Sequence, residues 1–177
     1  MTWRGRSTAV LVALALGACA SVQQGAGPAT ADALSGRLVV RVDASDGAAA
    51  RSENAAFELQ GNAQAGRLDL ATPLGSVVAQ ARWAPGSVML VTPQGERRFA
   101  DLDALTQEIL GESVPVAALF DWLRGRPWPG AASAATPDQG FTQLGWAVSL
   151  ARFDEGWVVA IRERAPAVTV RAKLDQR

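Results

Sequence analysis

The sequence predicts a mainly β protein, a curved antiparallel sheet of short strands interrupted once by two short amphipathic helices. Three observations predict it. From Leu34 onward, apolar and polar residues alternate with period 2 in run after run, the pattern of half-buried strands. Turn-forming residues punctuate these runs at Gly61-Asn62, Ala84-Pro85-Gly86 and Pro93-Gln94-Gly95, which suits consecutive hairpins. Between Asp101 and Arg124 the apolar spacing changes to three and four residues before strand patterning returns, the period of a helix with one buried face.

The elements follow in chain order. Leu38, Val40 and Val42 share one face of the 36–42 stretch, and Phe57 and Leu59 alternate with Glu58 and Gln60. After the Gly61-Asn62 turn, Leu68 and Leu70 alternate with Arg67 and Asp69. Val77, Ala79, Ala81 and Trp83 alternate with Val78, Gln80 and Arg82, and strands at 88–91 and 96–99 complete the meander. Asp101 or Asp103 can cap a helix carrying Leu102, Leu105, Ile109 and Leu110 on one side and stopping at Gly111, because a short acidic side chain accepts from the free first-turn N–H groups and glycine takes the left-handed closing position. Pro115 suits a first helical position. It opens a stripe of Val116, Leu119, Phe120 and Leu123 that Gly125, Pro127 and Pro129 terminate. The Pro/Ala/Ser-rich 128–139 stretch reads as a loop, as does the Ala/Ser/Gly-rich 43–56 segment. Strands resume at 141–150, 157–161 and 168–174. The apolar sheet face must be covered. Two helices can do this fully, giving an ordinary core, or partly, leaving an apolar cavity.

The start of the chain has a different character. Arg4 and Arg6 precede an apolar run from Ala9 to Leu16, shorter than the roughly 20 residues a membrane span requires but suited to an export signal. Leu16-Gly17-Ala18-Cys19 follows, and Cys19 is the single cysteine of the chain. The stretch resembles the lipobox of bacterial lipoproteins. The resemblance implies diacylglycerol on the Cys19 sulfur, cleavage before Cys19 and acylation of the new amine. The bland alternative is an ordinary secretory signal with a chance cysteine. Two or more acyl chains anchor firmly where one holds marginally. Ala20 and Ser21 follow the cysteine, and no aspartate stands directly after it. By the enterobacteria-like sorting rule this implies outer-membrane delivery. The expected organisation is a signal peptide over 1–18, a lipidated N-terminus and flexible tether over 19–33, and one folded domain over 34–177. Removing the first 18 of 177 residues leaves 159, enough for one core.

Composition narrows the chemistry. Lys+Arg and Asp+Glu are both 17, so no charge excess recruits nucleic acid. With Cys19 lipidated, the domain has no thiol nucleophile or disulfide. It has no histidine, which removes the commonest general base and most transition-metal sites. No catalytic residue, metal ligand or cofactor is expected.

Thr72-Pro73-Leu74-Gly75 lies between two alternating strands. Pro at the second and Gly at the fourth position suit a type I turn, which places Leu74 at the tip. Either Leu74 folds back and packs, or it is one of the scattered surface leucines that need no explanation, or the tip dips into a membrane or a partner's pocket.

This stretch is similar to the LolB family of outer-membrane lipoprotein receptors. The matching residues run from Leu68 through Thr72-Pro73-Leu74-Gly75-Ser76, then Ala84-Pro85-Gly86, Pro93-Gln94-Gly95-Glu96-Arg97, Ile109-Leu110-Gly111 and Val114-Pro115-Val116, and finish with Leu119 through Gly125, with Trp122 and Pro127. Order and spacing agree over roughly residues 66 to 130, and the 168–174 stretch matches more loosely. The resemblance implies an incomplete antiparallel β-barrel, LolA/LolB-like, with short α-helices as a lid over an apolar cavity. It implies a non-enzymatic, lipid-anchored protein on the periplasmic face of the outer membrane. Its partners would be the periplasmic carrier LolA, the acyl chains of client lipoproteins and outer-membrane lipid. The membrane-insertion loop would be Pro73, Leu74 and Gly75, with Leu74 the exposed apolar residue needed for delivery. A monomer is the expected state. The chain departs from better-known members in the 43–56 segment, in a shorter C-terminal strand region, and in having Glu58 and Leu59 near where some members carry an aromatic.

Candidate cavity residues are Leu38, Val40, Phe57, Leu68, Leu70, Trp83, Leu119, Phe120, Trp122 and Trp146; residues of these types are more often plain core than ligand contacts, and the sequence leaves open which sheet face points inward. The competing readings are a half-barrel that binds lipid without transferring anything, a structural lipoprotein with a filled interior, and, more distantly, an enzyme built on a buried carboxylate pair.

Overall fold

A computed structural model describes residues 33–45 and 47–175. The expected export signal, Cys19 and nearly all of the expected tether lie outside the described residues.

The meander is built from β1 (Leu34–Val42), β2 (Arg51–Gly61), β3 (Gly66–Ala71), β4 (Val77–Ala84), β5 (Ser87–Thr92) and β6 (Gly95–Phe99). Two helices follow, α1 (Leu102–Leu110) and α2 (Val116–Trp122). The chain returns through β7 (Ser133–Thr136), β8 (Gly140–Gln143), β9 (Trp146–Ser149), a 3-10 turn at Phe153–Glu155, β10 (Trp157–Arg162) and β11 (Val168–Leu174). All strands join one 11-stranded sheet in the order β6-β5-β4-β3-β2-β1-β11-β10-β9-β8-β7. Every pairing is antiparallel, and β6 and β7 are the two edges. The sheet is therefore open, an incomplete barrel, and the helices enter the chain between its two edge strands.

Alternation fixes which face is inner. In β1, Val40 and Val42 are buried and Leu38 half-buried, while Arg37 and Arg41 are exposed. Across the register the inner positions continue as Val170 and Ala172 on β11 and as Phe57 and Leu59 on β2. A slip of one residue would put this whole set in water. Gly66 on β3 is required by its neighbour: a Cβ there would stand 2.5 Å from the Trp83 ring, whose indole N–H donates to the Asn62 carbonyl at 3.0 Å.

The helices are held by different means. Asp101 caps α1, its carboxylate accepting from the Ala104 N–H at 2.7 Å, and Gly111 closes it with φ 79°. Asp103 remains in the first turn, where its charge favours the helix N-terminus. Pro115 occupies the cap of α2 rather than its first helical position, a one-residue difference of the kind helix ends commonly show. α2 buries Ala118, Leu119, Phe120 and Trp122.

Three expectations are corrected. Residues Arg51 to Ala56 are not loop: they extend β2 opposite Arg37 to Val42. Small residues there have no strong strand preference, and the ladder of β1 imposes the conformation. The 128–139 stretch contains the edge strand β7, paired with β8. The 141–150 run is not one strand but the hairpin β8–β9, turned at Leu144 (φ 54°) and Gly145 (φ 77°). Two positive φ values suit the tight hairpin turn that matches strand twist; a leucine at the first of them gave no such signal.

Candidate functional site

Between the inner sheet face and the helices lies an apolar hollow of about 340 Å³, within the range of roughly 300–1,000 Å³ typical of small-molecule sites. The sheet supplies Leu38 and Val40 from β1, Leu68 and Leu70 from β3, and Ala79 and Ala81 from β4. Helix α1 supplies Leu102, Leu105, Ile109 and Leu110, and Leu119 comes from α2. Leu38, Leu68 and Leu70 are only half-buried although they point inward, as expected where a sheet face is incompletely covered. Ile109 is 46 % exposed and still faces the hollow, so part of α1's apolar side meets empty space instead of protein.

Of the sequence candidates, Leu38, Val40, Leu68, Leu70 and Leu119 line this hollow. Phe57, Trp83, Phe120, Trp122 and Trp146 do not; they belong to the packed core. Trp83 meets Phe120 edge-on at 5.5 Å between ring centroids, and Trp122 packs against Phe141 at 6.3 Å and Trp146 at 6.1 Å. Large aromatic rings bury most area by packing on one another, so they fill the α2 side of the interior. The smaller alanines and leucines leave the α1 side open. Sequence reading missed the α1 residues as wall, although their helical stripe was visible, and it missed Ala79 and Ala81, whose small size creates the space.

The α2 side is also tied by polar contacts. The buried Gln143 amide accepts from the Trp122 indole at 2.8 Å and from the Trp128 N–H at 2.9 Å, and it donates to the carbonyls of Trp128 at 2.7 Å and Ala131 at 2.8 Å. These bonds fasten α2 and the following loop to β8. At the α1–α2 junction, Arg162 of β10 donates to Glu112 at 2.6 Å and also reaches the Ser113 and Pro166 carbonyls. The side chains of this pair are 7 % and 18 % exposed, and among the described residues Arg162 Nε has no hydrogen-bond partner.

The exposed residues that the sheet contributes to the hollow, Glu53, Asn54 and Val78, gather at one end of the sheet. Ala71 stands opposite Ala56 on β2 and opposite Val77 on β4. Glu53 and Asn54 lie just beyond Ala56 along β2, and with Val78 and Thr92 they form the lip. Val78 is the extra residue of a register shift, since Leu70 pairs with Ala79 and Ala71 with Val77; such a bulge bends a strand and increases its twist. The loop joining β3 to β4 leaves from this same end. Its Gly75 N–H donates to the Thr72 carbonyl at 2.9 Å, the Thr72 N–H to the Ser76 carbonyl at 2.9 Å, and the Ser76 N–H to Thr72 Oγ1 at 3.3 Å. Gly75 has φ 85°, a left-handed value that glycine takes without strain. Leu74, at the apex, is 95 % exposed; it does not fold back onto the sheet. Val77 and Val78 beside it are exposed as well.

Among the described residues, no group of acidic, histidine or cysteine side chains could hold a metal, and no helix is long and apolar enough to cross a membrane.

The family model described as "Outer membrane lipoprotein LolB" matches residues 33–172. The outer-membrane lipoprotein LolB of Bordetella pertussis is 37 % identical over 161 residues, covering 86 % of this chain and 80 % of that protein. The protein of the same name from Bordetella petrii is 36 % identical with the same coverage. That of Cupriavidus pinatubonensis is 38 % identical over 107 residues, 57 % of this chain and 50 % of that protein.

Proposed function

The chain belongs to the LolB family of outer-membrane lipoproteins, and from that membership we propose that it is the receptor that accepts lipoproteins from the periplasmic carrier LolA and places them in the outer membrane. The observation that carries this reading is one juxtaposition: an apolar hollow opens at the end of the sheet from which a bare leucine projects.

Acyl chains in water are costly, at about 0.8 kcal/mol per exposed methylene. A receptor must hide them without holding them. Leucine and alanine walls do this by non-directional contact, so chains of different length are accepted and none is locked by a specific bond. Transfer without covalent chemistry then needs affinity that rises from carrier to receptor to bilayer. The hollow's partial exposure suits an intermediate place in that order, because a chain lying in it keeps some surface in water.

Leu74 brings the mouth to the membrane. Burying one leucine side chain contributes about 1.5–3 kcal/mol, enough to hold the loop against lipid briefly and too little to fix it there. The loop's backbone hydrogen bonds and Pro73 set its shape before contact, so little ordering is needed on insertion. Permanent attachment falls to the acyl chains on Cys19, on the periplasmic face of the outer membrane, and the 19–33 tether lets the domain reach both carrier and bilayer. The test is reconstituted transfer of radiolabelled lipoprotein from LolA to liposomes. A soluble Cys19→Ala form should retain some delivery; retention of cargo with no passage to liposomes would leave a lipid-binding protein without transfer activity.

A further inference from the structure

We propose that Glu53 sets which headgroups the hollow admits: chains carrying an uncharged head are taken, and chains carrying an anionic head are turned away at the lip. This inference rests on the reading of the hollow as an acyl-chain site.

Among the described residues, Glu53 is the one ionisable side chain lining the hollow. Its position on the inner face is fixed by register, since it pairs with Val40 and shares its face of β2 with Ala55 and Phe57. An inward strand position ordinarily carries an apolar side chain. Here a carboxylate stands at the exposed lip, where it stays hydrated and adds nothing to packing. Among the described residues it has no ion-pair partner. Arg97 pairs with Glu108 and Arg162 with Glu112, while Arg51, two residues along the same face of β2, extends away to Gly111 at the end of α1. Low-dielectric walls on both sides of a cleft focus the field of such a charge into its mouth.

The bilayer next to the lip is itself full of long-chain ligands. Phospholipids carry a phosphate, and some have a net negative charge. A chain esterified to glycerol, with the glyceryl carbon in thioether linkage to an N-acylated peptide, has no charge at its head. A carboxylate at the mouth separates the net-anionic lipids from the uncharged head by repulsion, where apolar walls cannot. At about 6 Å and an effective dielectric of roughly 40–80, one unit charge against another changes affinity about three- to tenfold.

The experiment displaces a naphthylamine dye, fluorescent in apolar surroundings, with three amphiphiles of one tail: a monoacylglycerol, an alkyl sulfate and an alkyltrimethylammonium salt. The full domain and its Glu53→Gln and Glu53→Lys variants are compared at low ionic strength. Alkyl sulfate should bind about three- to tenfold more tightly to Glu53→Gln and about ten- to a hundredfold more tightly to Glu53→Lys. The alkylammonium should weaken in parallel and the monoacylglycerol should not change. High salt should compress the differences. Normal monoacylglycerol binding with no charge dependence overturns this proposal alone. Failure of the monoacylglycerol to displace dye from any variant overturns it together with the acyl-site reading.

Discussion

Replacing Leu74 by glutamate separates the proposed contact of the loop with lipid from everything else in the fold. The side chain is 95 % exposed, and the loop's hydrogen bonds run through Thr72, Gly75 and Ser76, so no native contact is lost. Folding stability should change by no more than about 0.5 kcal/mol, as for other surface substitutions. Binding of the soluble domain to lipid should change far more. The leucine contributes about 1.5–3 kcal/mol when buried, so losing it lowers partition into liposomes by roughly ten- to a hundredfold, and the carboxylate's aversion to the bilayer adds to that. The hollow is untouched, so dye binding and acceptance of cargo from LolA should stay normal. The assay is radiolabelled lipoprotein transfer, read separately as carrier-to-receptor and receptor-to-liposome steps, with flotation measuring lipid binding. Full delivery by Leu74→Glu would refute the argument, as would loss of cargo acceptance in a variant that melts like the parent.

Further expectations concern the interior. Ala79→Phe projects a ring into the hollow and should lower dye capacity severalfold; because no protein side chain has to move aside, its stability cost should stay below the 1–3 kcal/mol or so of overpacking a filled core. Gln143→Leu strands the Trp122 indole and three backbone groups that the amide now satisfies, and at about 1–3 kcal/mol for each buried group left unpaired it should unfold the domain at markedly lower denaturant. Glu112→Ala leaves the Arg162 guanidinium buried without its partner and should cost about 3–5 kcal/mol in denaturant unfolding, whereas Glu112→Leu combined with Arg162→Met should recover much of it. A double-variant loss equal to the two single losses added together would show that the pair contributes nothing as a pair.

How far residues reveal structure differs from element to element here. Strands such as β1 and β4 were legible because their alternation is driven by burial on one face, a local pattern written into consecutive residues. The same holds for α1, where Asp101 and Gly111 mark both ends. The first half of β2 and all of β7 were not legible. Their residues are small and polar, and they become strand only because a neighbouring backbone offers its hydrogen bonds. The β8–β9 turn was hidden by a leucine in a left-handed conformation, which glycine or asparagine would have announced.

For the site, the sequence by itself determined the turn at Thr72 to Gly75 that puts a leucine at its apex, the apolar faces from which any interior had to be made, and the lack of histidine. It could not decide which apolar residues would fill space and which would enclose it. That depends on side-chain volumes meeting across elements distant in the chain: the aromatic rings of α2, β4, β8 and β9 interlock and close one half of the interior, while the alanines of β4 face the aliphatic stripe of α1 and leave the other half open. The placing of Glu53 at the lip was decided in the same way, by a pairing register that turns a polar residue of an unpromising segment toward the unfilled side of the interior.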